Sequence, residues 1–309
     1  MIKSTINLTS KLYIIPKELA VMLLIGIIIA FVALLIASIT DLKKREVPDY
    51  VSYGLIFVAL AISIINTIVE WNYTFLAQSV MGFILGLIVA YAMFYLGQWG
   101  GGDSKLIMGL GAILGFNIFP LFGANNFWLL ILIASIIFFG ASYGLIWSIF
   151  LAIKNHRVFM KHMNEWLQKR EVMITRRVML VVILVLIVLV LTLLPEEFRL
   201  MILAFIAMFY ILFYVWLFVK VIEETCMVKE IPINKLTEGD WIYKEVKIGN
   251  KYITGPKDLG VSREQIALLK KYAAKGKIKT VTIKEGIPFI PAFLVAYVVT
   301  IILYYAGVF

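Results

Sequence analysis

Gln98-Trp99-Gly100-Gly101-Gly102-Asp103-Ser104-Lys105 interrupts two long apolar runs with three glycines and a carboxylate. Glycine lets the chain leave the helix and lets other groups approach its backbone closely. At membrane depth, non-helical backbone is tolerated only where protein or water covers it. An acid at the lip of a membrane-spanning helix is expensive and points to function. The question this stretch poses is whether the chain supplies a partner for Asp103.

The runs on either side set the fold class. Of 309 residues, 62% are hydrophobic and 16% charged, against roughly half and one quarter in a soluble domain. A span needs about 20 mostly apolar residues. Eight segments qualify, at 19–40, 51–69, 75–97, 105–122, 126–153, 178–194, 199–221 and 286–307. The expected fold is an all-α polytopic membrane protein of about eight transmembrane helices with a small α+β cytoplasmic insert. Leu19–Thr40 is followed by Lys and Arg and not by a small-residue cleavage site, so it reads as a span and not as a cleavable signal. Gly140 and Gly144 form a small-xxx-small pair suited to helix packing.

Lysine and arginine orient the spans. With the loop after the first span inside, 25 of the 29 basic residues fall on the inner side and four outside, as the positive-inside rule requires. Both termini then lie outside, and the loops at 41–50, 98–105, 154–177 and 222–285 face the cytoplasm. The net charge of +10 is thereby a membrane signature, and no basic helix interleaved with aromatics argues for nucleic acid. One cysteine, Cys226, excludes a disulfide framework and a Cys-x-x-Cys zinc site. His156 and His162 have nothing nearby to complete a ligand set, so neither a metal nor a cofactor is expected.

The expected division is a transmembrane core at 1–153 that holds the candidate site, a basic loop at 154–177 that reads as an amphipathic surface helix, a hairpin at 178–221, the insert at 222–285 and a last helix at 286–309. In the insert, 241–248 and 279–283 have strand patterns. Ser262-Arg263-Glu264-Gln265 reads as a capping box opening a helix to about Ala274, with Gly276 at its C-terminal cap. A β-β-α-β order is expected there.

Asp41 is the partner that topology offers. It closes the first span on the inner side, and the second and third spans go out and return, so Asp103 opens the fourth on the same side. Each acid has an ordinary alternative: Asp103 is placed to cap its helix, and Asp41 to pair with Lys43, Lys44 or Arg45. If the two meet, close carboxylates cannot both ionise easily and hold one proton between them. One can then take a proton from a water attacking a peptide carbonyl while the other protonates the leaving amine.

Two motifs carry a resemblance. Asp41-Leu42-Lys43 followed by Val47-Pro48-Asp49 fits Asp-x-Lys-x-x-x-[Ile/Val]-Pro-[Asn/Asp], and Gly100-Gly101-Gly102-Asp103-Ser104-Lys105 fits Gly-x-Gly-Asp-x-Lys. Over about residues 19–150 the chain resembles the type IV prepilin peptidases, most of all their archaeal preflagellin (prearchaellin) peptidase branch. The resemblance implies that Asp41 and Asp103 are catalytic aspartates, with Lys43, Pro48, Gly100, Gly102 and Lys105 as supporting motif positions. It implies as partners, besides membrane lipid, preflagellin or prepilin precursors whose short basic leaders are cut at the cytoplasmic face. The acidic Glu46 and Asp49 beside Asp41 are candidates to attract such a leader, the alternative being local pairing with Lys43, Lys44 and Arg45. Pro48 also starts the second span. The paired Cys-x-x-Cys motifs of the bacterial, N-methylating enzymes are missing, and the eight-span count exceeds a six-span core.

Two other protein classes share part of this pattern. Presenilin and signal-peptide-peptidase proteases share Gly-x-Gly-Asp, but they place the first aspartate in a Tyr-Asp pair and add a late Pro-Ala-Leu signature. Here Thr40 precedes Asp41, and Pro288 and Pro291-Ala292-Phe293 only brush against that signature. An ion- or proton-coupled transporter would use the two acids as a relay, with charge nearer mid-membrane and repeated halves.

Overall fold

The computed structural model describes residues 17–117, 124–249 and 251–306, the side chains of 17–21, 23 and 124–127 excepted. Eight helices come first: α1 (Lys17–Lys44), α2 (Asp49–Val69), α3 (Thr74–Tyr95), α4 (Gly101–Leu114), α5 (Ala124–Lys154), α6 (His156–Gln168), α7 (Arg170–Leu193) and α8 (Glu196–Thr225). Then follow β1 (Val228–Pro232), β2 (Trp241–Ile242), β3 (Val246–Ile248), β4 (Lys251–Thr254), α9 (Arg263–Ala274), β5 (Thr280–Lys284) and α10 (Ile290–Ala306).

Among the described residues, six helices (α1, α2, α3, α5, α7 and α8) are long and apolar enough to cross a membrane. The fourth and eighth expected spans differ. Gly115 turns to φ +68° and ends α4 at Leu114; at about 1.5 Å per residue, α4 then covers only about 21 Å. The rest of that expected span reaches residues outside the described ones. The last helix starts at Ile290, beyond Pro288, and has 17 residues.

The chain forms two compact units. The first holds α1 to α4, α5 as far as Gly144, and α10. Contacts thus group α10 with the first helices, although it is separated from them in sequence by the insert. The core is built from one apolar stripe of each helix: Leu34 of α1, Leu55 of α2, Leu106, Ile107 and Leu110 of α4, and Phe293 and Tyr297 of α10. The outward faces stay apolar, as lipid-facing helices do.

Glycines make α3 and α4 the closest pair. A Cβ on Gly82 would lie 2.1 Å from the Gly111 carbonyl oxygen, and one on Gly111 2.3 Å from that of Gly82. Gly86 meets the Ile107 carbonyl oxygen in the same way, at 2.7 Å. The backbones touch, which only small residues allow. Gly140 of α5 likewise makes room for Phe289, whose Cζ would sit 2.2 Å from an added Cβ; at Gly144 there is open space.

The second unit runs from Leu145 to Glu285. The expected surface helix is α6, whose buried Phe159 meets Phe218 of α8 at 5.4 Å and whose Trp166 Nε1 donates to Glu224 Oε2 at 3.1 Å. The following span begins eight residues earlier than expected, at Arg170. In the insert, β5 pairs antiparallel with β1 and β2, and β3 with β4 through a bulge. The order is therefore β-β-β-β-α-β. The expected strand at 241–248 is split in two, and β1 and β4 are additional. The capping box forms in full: Ser262 N–H donates to Gln265 Oε1 at 2.8 Å and Gln265 N–H to Ser262 Oγ at 3.3 Å. Gly276 follows the helix at φ +69°, as a C-terminal cap requires.

Candidate active site

Asp41 lies inside the last turn of α1, only 6% exposed, below a fully buried stripe of Ala30, Leu34 and Ala37. A buried charge needs hydrogen bonds. Asp41 Oδ2 accepts the Ile290 N–H at 3.0 Å, at the first turn of α10. Arg45, which follows the helix in a left-handed conformation (φ +57°), donates its guanidinium to the Gly286 carbonyl. Tyr143 of α5 lies within electrostatic reach of both Asp41 and Arg45.

Asp103 occupies the third position of α4. Gly100 is the N-cap (φ −74°, ψ 168°), and its N–H donates to Asp103 Oδ2 at 3.1 Å. This is the acidic half of a capping box; glycine has no side chain to supply the other half. The capping alternative therefore holds for Asp103. It does not separate the acid from Asp41, because the two carboxylates are within electrostatic reach of each other. Gly101 is open to solvent, and nothing lies within 4 Å of where its Cβ would be.

The two motifs are joined directly. A Cβ on Gly102 would lie 2.7 Å from Val47 Cβ, so the second motif glycine is required by space, whereas Gly100 faces no such neighbour. Lys105 Nζ bonds Asp49 Oδ1 at 2.5 Å and lies over the Tyr53 ring at 4.7 Å. The last acid of one motif thus pairs with the lysine of the other, a bridge that motif spacing does not reveal. Pro48 is the N-cap of α2, with extended backbone, and Lys43 and Glu46 are exposed.

Three contributors carry no motif. The backbone of 286–290 reaches Asp41 and Arg45. Trp99 is buried against Phe293 (centroids 5.1 Å) and Phe289 (6.3 Å). Ser104 is buried and donates to the Ala90 carbonyl at 3.4 Å. The late prolines, Pro288 and Pro291, are the signal that could have drawn attention to α10.

Fold and site together define a helical membrane protein whose first unit holds two acids from separate helices near one face. Residues 27–145 match the model of the type IV leader peptidase family, which bears out the resemblance carried by the two motifs. The chain is 37% identical over 101 residues to the preflagellin peptidase of Methanococcus voltae, covering 33% of this chain and 43% of that protein. It is 42% identical over 91 residues to the preflagellin peptidase of Methanocaldococcus jannaschii, covering 29% and 38%. The chain thus spans less than half the length of the curated relatives it matches. No solved structure matches it.

Proposed function

We propose that this protein is a membrane-embedded aspartic endopeptidase that removes the short basic leader from preflagellin- or type IV prepilin-like precursors at the cytoplasmic face. The observation that carries the reading is the placement of Asp41 and Asp103, 62 positions apart in sequence, in one bundle within electrostatic reach. The names of the matched relatives support the substrate class, and the distribution of lysine and arginine supports the face.

In this reading the two acids share one proton. The ionised carboxylate takes a proton from water as the water oxygen bonds to the scissile carbonyl carbon. The protonated partner hydrogen-bonds the carbonyl oxygen, and the C–N bond then breaks with proton transfer to the leaving amine. Water is the only co-reactant. The open backbone at Gly100 and Gly101 leaves room for an extended substrate strand beside Asp103. Glu46 and Asp49 add negative charge for a basic leader, although Asp49 shares its charge with Lys105.

The test is cleavage of a precursor with a basic leader by the reconstituted protein. Wild type is expected to cut it, and Asp41→Asn and Asp103→Asn each to lose at least about a hundred-fold in rate, the range of general acid–base catalysis. Full activity in either variant removes the dyad. Ion flux without cleavage in wild type would favour a relay.

A further inference from the structure

The segment between the insert and α10 is not surface linker. Ile290 is fully buried, and its N–H is spent on the Asp41 carboxylate. Four residues earlier, the Gly286 carbonyl takes the Arg45 guanidinium. Phe289, between them, fills the space vacated by the side chain that Gly140 lacks and packs on Trp99. Arg45 itself adopts a left-handed backbone, a position that helices often give to glycine and that is strained for a non-glycine residue. Strain of this kind persists where surrounding contacts over-determine it, and the Gly286 contact is one of them. Pro288 in this segment and Pro291 in the first turn of α10 stiffen the chain on both sides of Ile290.

We infer that residues 286–290 position Asp41: the Ile290 backbone N–H fixes the rotamer of the carboxylate, and the Arg45–Gly286 contact and the Phe289 ring hold that N–H in place. The inference rests on the reading of Asp41 as a catalytic acid. It extends the site beyond the 27–145 stretch on which the family match rests, to a helix that follows the insert. The donor is a backbone group, so no side-chain identity at 290 encodes it. Ile290 is a positioning residue, not a catalytic one, because it acts through Asp41. A misplacement of a reacting group by about 1 Å can lower the rate by about a hundred-fold, so the effect belongs in kcat and not in KM.

Proline at 290 removes the N–H at a position where a helix accepts proline readily. In reconstituted full-length protein cleaving a basic-leader precursor, Ile290→Pro is expected to lower kcat by about ten- to a hundred-fold with KM within about two-fold. Ile290→Val keeps the N–H and restores most of the wild-type kcat. Where Ile290→Pro does not fold, a backbone ester at position 290 removes the same N–H and leaves the side chain intact, with the same expected split. Arg45→Gln, which releases the Gly286 contact, is expected to lower kcat in the same direction by a smaller factor. Wild-type kcat in the N–H-less protein, with Asp41→Asn inactive, overturns the inference and leaves the proposed function standing. Equal loss in the proline and valine variants also overturns it, because packing would then explain the effect. Full activity of Asp41→Asn instead removes the functional reading itself.

Discussion

Gly102 separates a steric requirement from a motif habit. Its missing Cβ is what allows Val47 to lie against α4, so Gly102→Ala forces Val47 to move and is expected to cost about 1–3 kcal/mol, the usual range for overpacking. Gly100→Ala, whose Cβ would meet only Asp103 Oδ2 at an ordinary 3.8 Å, should cost less. Comparing the thermal stabilities of the two detergent-solubilised variants checks this; equal losses would contradict it. The Asp49–Lys105 pair is more exposed, with side chains 65% and 29% accessible. Its coupling in a double-mutant cycle is expected at about 0.2–1 kcal/mol, less at high salt. It also means that reversing Asp49 disturbs the bridge as well as any leader. Glu46→Lys alone is the cleaner probe of leader attraction, and an unchanged KM there would remove that role.

The elements divide into those legible from periodicity and those set by tertiary contact. The long apolar helices were readable because about 20 apolar residues in a row have few other uses. The end of α4 was not, because only the left-handed backbone at Gly115 stops it. Nor was the α3–α4 contact, although Gly82 and Gly86 have the small-xxx-small spacing. Gly82→Leu should push α3 from α4 and unfold the bundle at lower temperature; an unchanged melt would contradict that packing. In the insert, β1 was hidden by Lys229, Glu230 and Pro232, and it exists because β5 pairs with it. The capping box was legible because its two hydrogen bonds are local in sequence.

Asp258, in the same insert, should make local stability depend on pH. Burial by itself raises its pKa, but hydrogen bonds from Gln265, Tyr252 and the Gly255 N–H outweigh burial and hold the carboxyl below its ordinary range. A depressed folded-state value contributes stability above the unfolded value, near about 3.9, that is lost as pH falls through the folded one. Amide protection factors in 251–265, taken relative to the intrinsic exchange rate at each pH, should therefore fall on acidification below about pH 4. Asp258→Asn should show less of that pH dependence, and an unchanged profile would contradict the assignment.

For the whole molecule, charge topology and the site make one joint demand. Both acids must lie on the face that carries the lysines and arginines. In a Cys226→Ser background, a membrane-impermeant thiol reagent added outside cells should label a cysteine at Trp71, which is 93% exposed between α2 and α3. It should label one at Glu46 only after permeabilisation, and the reverse pattern would invert the orientation. That Asp41 and Asp103 come within electrostatic reach of each other was legible because each sits in its own short motif and span counting puts them on one side. The contribution of α10 was not, because a backbone N–H leaves no residue signature and because 64 residues of insert, 222–285, precede it.

The central claim is that Asp41 and Asp103 act as one unit in peptide hydrolysis. The most direct measurement is a double-mutant cycle on cleavage of a basic-leader precursor, with Asp41→Asn, Asp103→Asn and both together. Residues that act as a unit are strongly non-additive, so the double variant should be no slower than the slower single one. Losses that multiply, or substantial cleavage by either single variant, would contradict a shared site.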